Sequence, residues 1–479
     1  MLFNTIGFAL FFTVVFLLYW FVFNKKLKQQ NLFLLVVSLV FYSCWDWRFL
    51  FLLLFSISLD FYVGNQIYSN CSNQYRKKVW LWLSIIINLC FLGFFKYYNF
   101  FIENFIDLLS LFGFKGDTWT LKIILPVGIS FYTFHGLSYV IDIYKGKIQP
   151  EKSFINYSLF VSFFPLLVAG PIERATHLLP QIRQKRNFDY EKMINGLRQI
   201  LWGLVKKIVI ADNCAFYVNQ IFDNPNDYSG SSLVVGAVLF SFQIYGDFSG
   251  YTDIALGTAR LLGIELLQNF SYPYFSRDIA EFWRRWHISL SSWFRDYVFI
   301  PLGGSRGTKF KNIRNVFVIF IVSGFWHGAN WTFMFWGFLH ALFFLPLLLS
   351  NKNRNNITIA EPKNLKSSVV TFFQIILTFS LVTLTWIFFR SSSLSFAFNF
   401  INKIFTSSLF TFPEIFPKTV FGYLFLFLIL EWYGRSHFFA IEKFGLNWKK
   451  TYRIAFYYVL TIIILYFYGK EYEFLYFQF

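Results

Sequence analysis

Charged residues are scarce in this sequence. They make up 14% of its 479 residues, whereas hydrophobic residues make up 56%. Soluble domains contain roughly 25% charged residues. The deficit excludes an ordinary soluble globule, and the apolar composition excludes a disordered chain. A polar linker that would separate domains is also lacking, so residues 1–479 are predicted to form a single integral membrane domain.

Several functional motifs are missing as well. The cysteines Cys44, Cys71, Cys90 and Cys214 lack metal or redox spacing, and we expect them to be buried small apolar side chains. No histidine cluster has metal-ligand spacing, so no metal site is predicted. No serine lies in a G-x-S-x-G elbow, and Gly303-Gly304-Ser305 lacks the Gly-Lys-Thr ending of a phosphate-binding loop.

Long apolar runs are what the sequence does contain. Examples are Ile6–Phe23, Val79–Phe95, Leu233–Ile244 and Ser368–Phe389, and a bilayer span needs about 20 mostly apolar residues. The first run lacks the basic start and cleavage site of a signal peptide. The sequence therefore predicts an all-α polytopic membrane protein in the lipid bilayer, with about eleven transmembrane helices.

The net charge of +18 is concentrated in short loops between these runs. This placement is typical of cytoplasmic loops and argues against a nucleic-acid partner. Loops 24–30, 145–152, 276–314 and 351–366 are predicted to face the cytoplasm, whereas 212–230 carries three aspartates and no basic residue and is predicted to face out.

Two apolar segments do not fit a simple count of spans. Phe154–Ile172 is interrupted by prolines and followed by basic residues, which predicts a re-entrant element on the cytoplasmic side. Asn315–Leu349 is too long for one span and is predicted to be a hairpin or a broken helix. Irregular backbone of this kind is tolerated only where it is buried or lines a cavity, so both segments predict an internal chamber.

His327 lies inside the second of these segments. A charged side chain near the middle of an apolar stretch costs about 2.5–3.5 kcal/mol. A neutral imidazole avoids part of that cost, and the neutral form is the one that a general base needs. Gly324 and Gly328 form a small-residue pair that permits close approach of a helix or a substrate. A structural histidine that joins two helices is the alternative, and local context leaves both open.

His287 lies in a segment that resembles an amphipathic interfacial helix. Phe282, Trp286 and Leu290 share one face, and Arg284 and Arg285 lie largely on the other. Glu281 is expected to pair with Arg285. A histidine at the level of the lipid headgroups is the simpler local interpretation.

A third polar stretch runs from Gln243 to Asp253. Asp247 and Asp253 are expected either to orient a histidine, to pair with Arg284 or Arg285, or to form buried structural ion pairs. Among the other histidines, His135 is expected to be structural or to line the chamber, and His177 to lie in a solvated loop.

Six segments carry a resemblance to a known family: Pro126–Phe131, Ala169–Ile172, Asp247–Tyr251, Phe282–His287, Asp296–Gly304 and Trp326–Trp331. They resemble the membrane-bound O-acyltransferase family and occur in the family's order. The branch that they most resemble acetylates alginate or peptidoglycan, and its sister branch transfers D-alanine to teichoic acid.

The resemblance implies a ring of tilted helices around a central tunnel. It also implies that His327 is the catalytic histidine and that His287 occupies the family's second catalytic position, which holds Asn or His. Eight further residues are predicted to line the tunnel or bind substrate: Trp326, Asn330, Ser323, Gln243, Asp247, Trp283, Arg284 and Arg285.

The implied reaction is acyl transfer from a cytoplasmic thioester, with acetyl-coenzyme A as the donor and no bound cofactor. The acceptor is a hydroxyl of an extracytoplasmic polysaccharide, reached directly or through a periplasmic SGNH-hydrolase-like acetyltransferase, and the protein is expected in the bacterial inner membrane. Two alternatives stay open: D-alanyl transfer from a carrier protein toward teichoic acid, and a non-enzymatic transporter or scaffold.

Overall fold

The structure, a computed structural model, describes residues 2–113, 120–121, 123–168, 170–358, 365–469, 472 and 475. These residues form helices and no strand. Ala169 and part of the loop 351–366 lie outside the described residues. The α-helices are α1 Ile6–Leu17, α2 Leu27–Ser43, α3 Arg48–Ser69, α4 Gln74–Leu92, α5 Tyr98–Leu111, α6 Ile129–Tyr144, α7 Phe154–Ser162, α8 Phe164–Leu167, α9 Ala175–Arg183, α10 Tyr190–Leu204, α11 Asp212–Asp223, α12 Gly230–Leu261, α13 Ile279–Arg285, α14 Ile288–Phe294, α15 Lys309–His327, α16 Trp331–Leu349, α17 Leu365–Arg390, α18 Leu394–Ile404, α19 Lys418–Gly434 and α20 Lys450–Phe467.

Within the described residues, six helical stretches are long and apolar enough to cross a membrane. They are Arg48–Ser69, Gln74–Leu111, Gly230–Leu261, Trp331–Leu349, Leu365–Arg390 and Lys450–Phe467. The all-helical, polytopic character is therefore confirmed, whereas the number of eleven spans stays a prediction. The apolar helical stretch Ile6–Val22, which lies in the first predicted run, is shorter than these six.

The chain contacts divide into two compact units. Unit 1 comprises residues 1–196 and 258–267, and unit 2 comprises residues 197–257 and 268–479. The single domain expected from the sequence stays a prediction.

In unit 1, the predicted interruption of Phe154–Ile172 is confirmed. Helix α7 ends at Ser162, and α8 has only four residues with Pro165 in its first turn. Proline at this position costs no hydrogen bond, because the first N–H groups of a helix have no intrahelical acceptor. Whether the segment enters and leaves on the same side stays a prediction.

Unit 1 also contains His135 and His177. His135 is fully buried and its Nε2 accepts a hydrogen bond from the backbone N–H of Glu173 at 3.0 Å, which is a structural contact. The solvated loop expected at His177 is wrong, because this residue lies in α9 and its Nδ1 is 2.8 Å from the Glu173 carboxylate. That hydrogen bond raises the pKa of His177 above its usual value.

In unit 2, the predicted break within Asn315–Leu349 is confirmed as a helical hairpin. Helices α15 and α16 are joined by the three residues 328–330. Gly324 and Gly337 lie in the contact between them. A Cβ atom at Gly324 would overlap the backbone oxygen of Phe333, and one at Gly337 would overlap that of Phe320. The close approach of a helix at Gly324 therefore serves this hairpin.

The expectation of four buried cysteines is wrong for three of them. Cys214 is buried, but Cys44, Cys71 and Cys90 are exposed on the protein surface. Cys90 lies on the apolar helix α4, whose outward face needs no protein neighbour if lipid covers it. An apolar residue in a membrane protein therefore need not be in its core.

Candidate active site

His327 is the last residue of α15, at the start of the hairpin turn. Its side chain is buried among aromatic rings, with ring centroids 4.8 Å from Trp326, 5.2 Å from Trp336 and 5.4 Å from Phe389. These neighbours come from α15, α16 and α17, so three helices fix the position of the imidazole. The surroundings are apolar, as the sequence predicted.

The second histidine interrupts the segment that the sequence predicted to be one interfacial helix. That prediction is wrong: α13 and α14 are separate seven-residue helices, and His287 between them has a left-handed backbone with φ 45° and ψ 53°. Trp286, Leu290 and His287 are all buried, so the imidazole is enclosed by protein. The left-handed region costs about 1–3 kcal/mol for a residue other than glycine.

Asn269 fixes the imidazole of His287. Its Oδ1 is 3.0 Å from Nδ1 of His287 and also accepts hydrogen bonds from Ser289 Oγ at 2.9 Å and Ser289 N–H at 3.3 Å. A backbone N–H can only donate, so the atom facing both residues must be the amide oxygen. Nδ1 of His287 is therefore the donor, and Nε2 carries the lone pair of the neutral ring.

The structure brings the two histidines together. Their ring centroids are 6.5 Å apart, and Trp326 is 6.0 Å from His287. Phe248 of α12 closes the other side of His287 at 4.8 Å. The two histidines are 40 residues apart in the sequence, and the packing of the α13–α14 segment against the end of the hairpin brings them close in space.

A cavity of about 750 Å³ lies beside this pair, within unit 2. Its walls are mainly apolar and come from α13, α14, α15 and α16. The lining includes Ser323, one helical turn before His327, and Ile288, which directly follows His287. Three arginines also line it, Arg284, Arg295 and Arg354, and we call it the arginine cavity. Small-molecule sites typically have volumes of about 300–1,000 Å³.

The two arginines and the tryptophan that were predicted as site residues in the 282–287 segment have different surroundings. Arg284 lines the cavity, and its guanidinium donates to the backbone oxygens of Asn353 and Asn356 at 2.9 and 2.8 Å. Arg285 is buried and pairs with Glu281 at 2.5 Å, as the sequence predicted. Trp283 lines the cavity and its indole N–H donates to His340.

The partners expected for the aspartates on α12 are wrong. Asp247 is 2.7 Å from Lys207, and Asp253 is 2.9 Å from Lys206, so both form buried ion pairs with lysines rather than with Arg284 or Arg285. Charges inside a membrane protein are costly unless they are paired. Of the alternatives predicted for these aspartates, the structure therefore contains buried structural ion pairs.

Asn330 and Gln243 complete the predicted set. Asn330 caps α16, because its Oδ1 accepts from Thr332 N–H, and its Nδ2 donates to Ser392 O at 3.0 Å. Its amide therefore holds the hairpin turn. Gln243 is buried on α12, and its Oε1 has no hydrogen-bond partner among the residues that the structure describes.

Comparison with known proteins gives the family to which the region around the two histidines is similar. Residues 150–389, which include both histidines, match the membrane-bound O-acyltransferase family. The chain is 35% identical to the probable alginate O-acetylase AlgI of Pseudomonas aeruginosa, over 86% of this chain and 78% of that protein. It is 37% identical to the peptidoglycan O-acetyltransferase of Helicobacter pylori, over 82% of this chain and 78% of that protein.

The chain belongs to the membrane-bound O-acyltransferase family. It is therefore a multi-pass membrane enzyme that transfers acyl groups to oxygen, and the transporter and scaffold alternatives do not stand. A teichoic acid D-alanyltransferase of Bacillus subtilis is also similar, with 32% identity over 45% of this chain and 57% of that protein.

Sequence reasoning missed three residues near the site of this O-acyltransferase. Arg295 and Arg354 line the arginine cavity, and Asn269 holds His287. The basic composition of 276–314 was a signal for Arg295. Asn269 lies in a loop between α12 and α13 with no distinguishing neighbours, so nothing in its sequence context indicates a role.

Proposed function

We propose that this enzyme transfers an acetyl group from cytoplasmic acetyl-coenzyme A to a hydroxyl of an extracytoplasmic cell-envelope polysaccharide, in the bacterial inner membrane. The final acceptor is reached directly or through a periplasmic SGNH-hydrolase-like acetyltransferase. The observation that carries the proposal is that the arginine cavity extends to within one helical turn of His327. The acetyl group is preferred because the relatives named for acetylation align over most of the chain.

The arginines and the apolar walls of the cavity support this donor. Coenzyme A carries phosphates at one end and a thioester at the other. Arginine binds phosphate through charge-assisted hydrogen bonds, and Arg295 and Arg354 supply cations at the cavity wall. The apolar walls receive the pantetheine arm, and Ser323 marks the end where the thioester is held.

In the chemical step, His327 removes the proton from the acceptor hydroxyl as its oxygen attacks the thioester carbonyl. A C–O bond forms, the C–S bond breaks, and the proton passes from His327 to the leaving thiolate, so the products are an ester and free coenzyme A. The aromatic enclosure of His327 excludes water, which limits hydrolysis of the donor. His287 is the second catalytic residue beside this centre.

A reconstituted system tests the donor and the direction of transfer. We expect protein in liposomes to consume acetyl-coenzyme A supplied on the side of the 276–314 loop, by slow hydrolysis or by acetylating an added partner. A cysteine at position 309, in a background without the exposed native cysteines, reports which side this is through an impermeant thiol reagent. If a carrier-bound D-alanyl thioester were consumed instead, the acetyl donor would be wrong and acyl transfer would stand.

Reversing the charge of the cavity should weaken donor binding. For Arg295→Glu/Arg354→Glu we expect the KM for acetyl-coenzyme A to rise about tenfold or more, since one charge-assisted hydrogen bond is worth about 1.5 kcal/mol. The kcat should change little, because neither side chain contacts the histidines. The matched control is Lys449→Glu/Lys450→Glu at the start of α20, which has the same charge change away from the cavity. An unchanged KM would place the donor elsewhere.

A further inference from the structure

Asn269 is fully buried in unit 2 and contacts the 286–289 segment at three points. Its backbone oxygen accepts a hydrogen bond from Ile288 N–H at 2.9 Å, and its side-chain oxygen binds Ser289 and His287. These contacts hold His287 in its left-handed conformation, which few non-glycine residues adopt, although histidine is enriched among them. The loop between α12 and α13 thus sets both the position and the orientation of the imidazole.

The other side of the amide faces polar groups. Nδ2 of Asn269 is buried without a hydrogen-bond partner among the described residues, and Asn269 lines a small cavity of about 10 Å³ together with Lys206 and Asp253. About 10–15 Å³ is the space needed for one water molecule.

We propose that Asn269 is a positioning residue, which holds His287 in the tautomer protonated at Nδ1 and so presents a free lone pair at Nε2 to the reaction centre. This inference rests on the proposed function, because it assigns His287 the role of a hydrogen-bond or proton acceptor beside His327. In this state His287 cannot donate from Nε2, so it does not stabilise an oxyanion. Nε2 has no hydrogen-bond partner among the described residues, which leaves it available to the substrate.

The charged and titratable groups around His287 come from three directions. The ring centroid of His327 lies at 6.5 Å, the Lys206–Asp253 pair lines the small cavity beside Asn269, and the Glu281–Arg285 pair belongs to α13. Burial lowers the pKa of His287 to about 3, so the ring is neutral over the physiological range. A new negative charge at position 269 would raise that pKa.

The test compares Asn269→Leu, Asn269→Asp and His287→Asn by kcat, KM and pH–rate profile, using whichever acyl donor the wild type turns over. Asn269→Leu removes the acceptor, and we expect kcat to fall about 10–100-fold with little change in KM, as for other supporting hydrogen bonds to functional histidines. Asn269→Asp restores the acceptor, so kcat should recover at alkaline pH. The acidic limb of the pH–rate profile of Asn269→Asp should move to higher pH. The new carboxylate raises the pKa of His287, and the imidazolium form has no lone pair at Nε2.

Asn402→Asp on the exposed face of α18 is the matched control and should leave the profile unchanged. Wild-type kcat and pH profile in both Asn269 variants, with activity lost in His287→Asn, would overturn this inference alone. Full activity in His287→Asn would overturn the role of His287 and this inference with it. Failure of the wild type to use acetyl-coenzyme A would overturn only the proposed donor.

Discussion

His327→Gln should lower acyl transfer by about 10²–10⁴-fold, the contribution of a general base. An amide keeps the size and hydrogen-bonding character of the imidazole but cannot accept a proton at neutral pH. The rings of Trp326, Trp336 and Phe389 enclose this position and supply no base in place of the imidazole. His327→Ala should be equally inactive. The measurement is turnover of the acyl donor by purified protein in liposomes.

The control for the two His327 variants is His437→Gln. His437 is partly exposed and lies between α19 and α20 in the same unit, so this variant should retain wild-type activity. The thermal midpoint of each variant in detergent separates lost chemistry from lost folding. Near-full activity of His327→Gln would make His327 a structural residue, and the assignment of the base would be wrong.

Gly324→Leu should inactivate the enzyme by a different route. Its side chain would overlap the backbone oxygen of Phe333, which cannot move without separating α15 from α16. Overpacking of this kind costs about 1–3 kcal/mol or more. A displacement of 1 Å at His327, three residues along the same helix, would cost about 10²-fold in rate. We therefore expect a lowered thermal midpoint together with at least that loss of activity.

Gly422→Leu provides the comparison, because a Cβ atom at Gly422 on α19 would have no neighbouring heavy atom within 4 Å. Its activity and thermal midpoint should stay close to those of the wild type. If Gly324→Leu behaved like Gly422→Leu, the hairpin would be less closely packed than the structure indicates.

The hairpin and the α13–α14 segment show what the sequence can predict. The hairpin follows from physical limits, since an apolar run longer than a span with basic loops at both ends must turn back. The break at His287 has no such signal. Phe282, Trp286 and Leu290 recur at helical spacing, and neither proline nor glycine marks the interruption. The contacts with Asn269, from the loop that precedes α13, stabilise the left-handed conformation.

The ion pairs of α12 were predictable in part: the sequence indicates that the aspartates need partners but not which residues those partners are. The aspartates were predicted to need partners, because an unpaired charge in an apolar environment is too costly. The choice of partner depends on which helices are neighbours, and periodicity carries no information on that. Lys206 and Lys207 lie within the apolar segment 197–211 and need partners for the same reason, so the sequence could have predicted that these lysines pair with the aspartates.

The backbone at position 287 also limits which amino acids evolution can place there. Asparagine, aspartate and histidine are enriched among non-glycine residues with positive φ, whereas β-branched and bulky residues are rarely accommodated. The family resemblance assigns asparagine or histidine to this position, and both belong to that small group. An amino acid at position 287 must therefore first be able to adopt positive φ, and only then does the chemistry of its side chain matter. In a saturation screen, valine or isoleucine at 287 would fail for a reason unrelated to proton transfer, and asparagine is the substitution that isolates the imidazole.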